Sequence, residues 1–442
     1  MRSRSASWRW LVRKEWRELL SARAFWLMLL LTGPLVGETF IGSVRAYAEL
    51  SGLHGTAAGV GEAFSPLIGV WSPTFSAYEI VAAFLFPFVV IRVVSGDRQS
   101  GAAKLELQQP LPASARIAAK AVVLLAGWLL ASLGALVALL LWKSYGGSTH
   151  GPEIAAVALG HLLNAGLTIA LGAAAAQFAE HPATAAILTL GFTVSTWAVH
   201  FAAAVRGGLW ERLAGYTPPA MVAGFQHGLV RLDVVLIALV LVAAGLALSA
   251  VWMRLGVAVR RRALESFAVL GAAALVIIAA SWLRPSWDLS ESRYNSFAPA
   301  DEQKLQRIRA PLRLEVHLAP EDPRRFELER HALRKLRRVM PDLRVRYVSQ
   351  TSVGLFEQTS QHYGEIHYDL DGRTAVNRLT SAEAVLETIY ELAGTPPPPQ
   401  NDEGVFRGHP LAVPPRGAGL VFHAVWPALV LGSAWVALRR QS

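Results

Sequence analysis

AVVLLAGWLLASLGALVALLL, residues 121–141, runs without a single charged side chain. A helix needs about 20 such residues to cross the roughly 30 Å hydrocarbon core of a bilayer. A helix buried in a water-soluble core would instead show polar positions recurring at the helical period. This stretch shows no such face, and residues 234–253 read the same way. Outward from these two, comparable apolar runs fall at 24–43, 75–94, 121–142, 154–178, 183–205, 234–253, 267–283 and 419–438. The pattern predicts a membrane all-α bundle of about eight transmembrane helices, with a small external α/β domain between the last two. The run 24–43 is the least regular, broken by Gly33-Pro34 and carrying Glu38. Ala46-Tyr47-Ala48 after it resembles a signal-peptidase site, but the long, charged, tryptophan-containing segment before it argues for a retained span.

The 442-residue chain is 53% hydrophobic and only 17% charged, against about 25% charged in soluble domains. That disfavours a cytosolic enzyme or a disordered regulator. The 42 Lys and Arg outnumber the 32 Asp and Glu, for a net charge of +10. A soluble protein so basic would suggest nucleic acid. In a membrane protein the excess reads as Lys and Arg retained on the cytoplasmic side, and no nucleic-acid partner is expected. The absence of Cys excludes disulfides, thiolate metal sites, iron–sulfur clusters and cysteine nucleophiles.

Basic residues orient the spans. Arg2, Arg4, Arg9, Arg13, Lys14, Arg17 and Arg23 precede the first; Arg98, Lys104, Arg116 and Lys120 lie between the second and third. Arg254, Arg260, Arg261 and Arg262 lie between the sixth and seventh, and Arg439-Arg440 end the chain. With eight spans all of these share one side, read as the cytoplasm. Both termini are therefore expected in the cytoplasm, in a bacterial inner membrane, with residues 284–416 outside.

Residues 1–23 read as an interfacial amphipathic helix. Trp8, Val12, Trp16 and Leu19 follow helical spacing, with Glu15 intruding on the apolar arc. Residues 24–255 hold six spans, 256–266 a basic cytoplasmic hinge and 267–283 the seventh span. The region 284–395 mixes element types. LRLEVHL (312–318) alternates as a strand, 324–339 has helical period, and LRVRYVS (343–349) is a second strand. Asp371-Gly372 joins a hairpin of 365–370 and 374–379, and 381–392 is a helix opened by Ser381. The order suggests a parallel pair joined by a right-handed crossover. Prolines 396–399 open a stiff linker running to 418, followed by the eighth span.

No GxxxxGK[ST] or GxGxxG phosphate loop occurs, so no nucleotide is expected to bind through a known loop. HExxH and GxSxG are also absent. His362 and His367 can be neighbours around a turn, yet no His pair has ligand spacing on a helix; no catalytic residue and no metal site is expected. Polar residues inside spans are functional candidates because lipid makes them costly. Glu38, Glu79, Arg92, His161, Asn164 and His200 qualify. Glu79 and Arg92 lie near opposite ends of their span, where each can snorkel. Glu38, Glu79, His161 and Asn164 are the candidates for a transport pathway. His161 and Asn164 share a helical face, so interhelical hydrogen bonding is their alternative role. The basic helix 324–338, if outside, reads as a solvated face or a lipid-headgroup contact.

Residues 1–255 resemble an ABC type-2 permease, with an interfacial helix, six spans and a cytoplasmic loop between spans two and three. Asp97, Gly101, Pro110 and Lys120 match that family's loop, while Ala102-Ala103-Lys104 stand where Thr-Leu-Glu is usual. GFQHGLVRLDVV (224–235) is similar to the family's approach to its last helix. SWDLSESRYNSF (286–297) and YGEIHYDLDGR (363–373) resemble a gliding-motility-type auxiliary domain, shortened here and spanning residues 265–442. The resemblances imply the membrane subunit of an ABC transporter, more often an exporter, working by alternating access. No cofactor would bind this chain; ATP and Mg would sit on a separate cytoplasmic ABC ATPase. That partner would dock on 96–120, with Asp97, Arg98, Gly101, Lys104, Leu105, Glu106 and Leu107 as the docking candidates. A second permease copy or paralogue and a periplasmic partner of the external domain are implied too. The rival reading is a membrane-anchored assembly or mechanotransmission factor that works with an ATPase and transports nothing. An intramembrane enzyme is disfavoured by the lack of paired carboxylates within the spans.

Overall fold

The computed structural model describes residues 2–53, 65–101, 111–206, 209–254, 256–319, 322–340, 342–348, 362–399 and 416–439. The chain divides into two units, Met1–Leu289 with Gly408–Ser442, and Ser290–Arg407. Among the described residues of the first unit, eight helices are long and apolar enough to cross a membrane. In order they are Arg23–Glu49, Leu67–Asp97, Ala113–Ser144, Gly151–Phe178, Pro182–Ala203, Leu232–Met253, Val259–Ala280 and Ala418–Arg439, spans one to eight. The chain is a multi-pass membrane protein built on an all-α bundle. Large apolar side chains such as Leu140, Ile187, Phe201 and Leu275 point outward on these helices. That is a liability in water and the expected surface in lipid.

Several spans outrun their apolar stretches. Span three begins at Ala113 because Arg116 and Lys120 are buried in the helix instead of lying in a loop. Much of the expected hinge 256–266 is the opening of span seven, which starts at Val259. There Arg261 Nε and Glu265 Oε1 close an i,i+4 pair at 3.2 Å.

Gly33-Pro34 does not end span one, which stays helical through both residues. Proline removes one donor from the ladder and pushes on the preceding turn; next to it, Trp426 Nε1 of span eight donates to Leu29 O at 2.8 Å. Gly33 lies against Trp426 and Gly37 against Phe422, so close that a Cβ at either position would collide with the ring or its stem. This is a small-xxx-small seam of the kind that lets membrane helices approach. Span three is interrupted at Ser132, between helical segments Ala113–Ala131 and Leu133–Ser144. The buried Tyr78 hydroxyl of span two fills the break, donating to Ala131 O (3.1 Å) and accepting from Ala135 N (2.9 Å). The carbonyl and the N–H parted by the break, Ala131 O and Ala135 N, thus both keep a partner.

The N-terminal helix Arg2–Ser21 turns Leu11, Glu15 and Leu19 inward, one turn apart. Strands β1 (Leu229–Arg231) and β2 (Ser286–Asp288) pair antiparallel. They tie the start of span six to the end of span seven.

The second unit is a four-stranded sheet in the order β4-β3-β5-β6, with β3 (Leu312–Val316), β4 (Arg344–Tyr347), β5 (Ile366–Leu370) and β6 (Arg373–Asn377). β3 and β4 are parallel, joined through helical residues 323–339; the other pairs are antiparallel. Leu312, Leu314 and Val316 alternate with Ile366, Tyr368 and Leu370 on one face. Leu328, Leu333, Leu336, Val385 and Ile389 from the helices cover that face. Ser381 caps Ala382–Ala393 by accepting from Ala384 N. Asp371 and Gly372, both at positive φ, turn the β5–β6 hairpin.

Candidate functional site

Among the described residues, two groupings of polar side chains stand out in the apolar bundle. The first lies where the N-terminal helix meets the end of span two and the start of span three. Lys120 Nζ, almost wholly buried, donates to Glu15 Oε2 (2.7 Å), Asp97 Oδ2 (2.5 Å) and Val93 O (3.1 Å). An ammonium has three donors, and all three are used. Lys14 Nζ bridges Asp97 Oδ1 (2.6 Å), Glu18 Oε1 (3.0 Å) and Glu15 Oε1 (3.3 Å). Two ammonium groups thus meet three carboxylates in the described contacts. Glu18 is the most exposed of the three; burial above all, with Glu15 and Asp97 adding repulsion against the attraction of Lys120, pushes its carboxyl up to about 7. Breaking such a buried pair by removing one partner costs about 3–5 kcal/mol, so the cluster fastens three elements together.

The second feature is a cavity of about 800 Å³ in the first unit, lined by spans two, four, five and six and by the segment around Tyr216. Its wall is largely aliphatic and aromatic, from residues such as Leu167, Phe192, Trp197 and Leu241. Glu79, Asn164, Thr168, Thr193 and Thr196 are polar points on it. Gln226 Nε2, at the end of the short helix Pro218–Gln226, donates to Glu79 Oε1 at 2.7 Å and lies 3.4 Å from His161 Nε2. Ser72 Oγ holds Gln226 through its carbonyl at 2.6 Å. His161 is buried between Phe75 and Tyr78, with ring centroids at 5.4 and 6.0 Å.

The sequence candidates divide accordingly. Glu79 and Asn164 line the cavity, and His161 joins them through Gln226. Glu38 stands apart, exposed on span one with its carboxylate 3.7 Å from His423 of span eight. His200 pairs with Thr217 Oγ1 at 2.6 Å. Of the docking candidates, Asp97 is turned into the buried cluster and is not an open surface charge. Arg98 is on the helix Phe86–Ser100, and Gly101 follows it at φ +75, the left-handed position at which helices stop. Lys104, Leu105, Glu106 and Leu107 lie outside the described residues. Sequence reading missed Gln226, although it quoted the segment that contains it. It also took Glu15 for a flaw in an amphipathic pattern; a charge at the centre of an apolar arc was the available signal.

Comparison with protein-family models, curated proteins and solved structures finds no match.

Proposed function

We propose that the chain is the membrane permease subunit of an ABC transporter, an exporter driven by a separate cytoplasmic ATPase. In this reading the protein sits in a bacterial inner membrane with both termini cytoplasmic and the second unit outside. The observation that carries it is the Glu15–Lys120–Asp97 cluster. It locks the N-terminal helix to both spans that flank residues 102–110, so a push on that connection moves three elements as a body. Span two carries Asp97 in the cluster and Glu79 on the cavity, about 27 Å apart along a helix at 1.5 Å per residue. A displacement at the cytoplasmic end is thereby delivered to the cavity wall. A large apolar chamber with one carboxylate and a few hydroxyls suits an amphipathic or lipophilic guest better than a small ion.

The test is co-expression with candidate ABC ATPases from the same genome, purification of the one that binds, and reconstitution of the pair. The isolated chain should hydrolyse no ATP. The co-purified complex should hydrolyse it and move a lipophilic dye across proteoliposomes in an ATP-dependent way. Hydrolysis by the isolated chain, or a stable complex that hydrolyses ATP without dye movement at any guest polarity, overturns the exporter reading.

A further inference from the structure

The second unit gathers histidines that its sequence keeps apart. The β3–β5 ladder sets Glu315 opposite His367. One step further, His317 N donates to Glu365 O at 2.9 Å and Gly364 N to His317 O at 2.8 Å, so His317 faces Glu365. Since side chains alternate along a strand, His317, Glu365 and His367 share the sheet face away from the helices. His362 folds onto the same place from the turn before β5, which Gly364 closes at φ +88. The turn is anchored from behind: Tyr363 Oη donates to Asp322 Oδ2 at 2.8 Å, and Asp322 caps the following helix through Arg324 N at 2.9 Å.

The donor atoms converge. Glu365 Oε2 is 2.9 Å from His362 Nδ1 and 3.1 Å from His367 Nε2. Two ligands held about 2.0–2.1 Å from a tetrahedral cation are about 3.3 Å apart, nearly the spacing already present. Ring centroids of His317, His362 and His367 are separated by 4.8, 5.7 and 6.1 Å. Three imidazoles around one such cation have centroids about 5 Å apart. The other oxygen, Glu365 Oε1, accepts from Arg378 Nη2 at 2.9 Å. An outer partner of this kind fixes a ligating carboxylate.

We propose that His362, Glu365 and His367 form a binding site for a borderline transition-metal dication of the Zn²⁺ class, with the His317 ring flanking them on the same face. Imidazole nitrogens with one carboxylate favour Zn²⁺, and by the Irving–Williams order Cu²⁺, over Mg²⁺ or Ca²⁺, which want more oxygens. The inference does not depend on the permease reading and survives its failure.

The test uses the full chain in detergent, purified without a polyhistidine tag and stripped with chelator. Titration with Zn²⁺ alone should saturate at one equivalent and resist excess Mg²⁺ or Ca²⁺. His362→Ala and His367→Ala should each weaken binding at least tenfold, while His423→Ala, in span eight, should leave it unchanged. Co²⁺ offers a second readout that does not rely on affinity. Its visible absorption should show a low-coordinate nitrogen and oxygen environment in the wild type and lose that signature in Glu365→Gln. His362 sits on an exposed turn, so its variant keeps the test decisive even where a strand variant fails to fold. Absence of saturable Zn²⁺ binding, or equal binding by wild type and His362→Ala, overturns the proposal.

Discussion

Glu15 is the residue at which local pattern and tertiary structure disagree. In an isolated interfacial helix a carboxylate between Leu11 and Leu19 spoils the apolar face. In the bundle it is the acceptor for Lys120, whose own burial in span three would be untenable without it. Neither residue is intelligible alone, and the pairing joins positions far apart in sequence. Glu18 gives the cluster a pH dependence whose sign is fixed. Glu18 moves from an ordinary 4.5 up to about 7 on folding, chiefly through burial. Between those values the folded state holds more protons than the unfolded one, so this group makes stability fall as pH rises. The groups facing it are Lys14, Glu15, Asp97 and Lys120. Glu18→Gln keeps the shape and removes the titration. Its melting temperature in detergent should match wild type near pH 5 and exceed it near pH 8. Parallel melting profiles for the two proteins across that range would show that folding does not raise the proton affinity of Glu18.

At the scale of elements, the first and last spans are held by shape. Gly33 and Gly37 are one turn apart and receive Trp426 and Phe422. A Cβ on Gly37 would lie 2.3 Å from Phe422 Cβ, an atom close to the backbone that cannot swing away. Gly37→Leu should therefore part the helices at a cost of about 1–3 kcal/mol, the usual penalty for overpacking. Gly42 lies on the same helix, and nothing comes within 4 Å of a Cβ built there. Gly42→Leu should thus be neutral. Cysteines replacing Glu38 and His423 in this thiol-free chain report the contact, since the native pair sits 3.7 Å apart. Their yield with a short bis-maleimide should drop with Gly37→Leu and hold with Gly42→Leu; equal yields would remove the seam. The same glycines show what a sequence hides. Gly33-Pro34 reads as a break because both residues are poor in isolated helices. Their purpose, the close approach of Trp426 and Phe422 at Gly33 and Gly37, exists only once span eight is present. The histidine cluster was legible only in part: His362 and His367 read as neighbours around a turn, but Glu365 between them and His317 beside them did not. His362 and His367 do not share a helix, and His317 reaches them only through the β3–β5 register. By contrast, the strands, hairpin and capped helix of the second unit were readable locally, because alternation, Asp-Gly and Ser381 act within a few residues.

For the whole molecule, hydropathy alone revealed the spans, since a bilayer core demands long apolar helices regardless of partners. It could not place their ends, which run on wherever a charge is paired inside the protein. The contacts between span ends agree with eight alternating passes. The cluster joins the N-terminal helix to the connection between spans two and three. At the opposite ends, Tyr145 Oη after span three donates to Arg416 O before span eight. Leu232 N at the start of span six donates to Pro285 O after span seven at 3.1 Å. In the proposed topology, alternation of eight passes puts Arg254 and Ala258 on the side of the N-terminal helix, and Pro285 and Arg416 on the other. In the proposed orientation, the positive-inside bias assigns the first of these sides to the cytoplasm. Because the chain has no Cys, one engineered thiol reports one position. Ala258 and Thr374 are both exposed, so accessibility at either is decided by the membrane and not by packing. In spheroplasts an impermeant maleimide should label Thr374→Cys at once and Ala258→Cys only after permeabilisation. Labelling of Ala258→Cys in sealed spheroplasts, with Thr374→Cys protected, would invert the protein; labelling of both would mean that the number of passes between them is even.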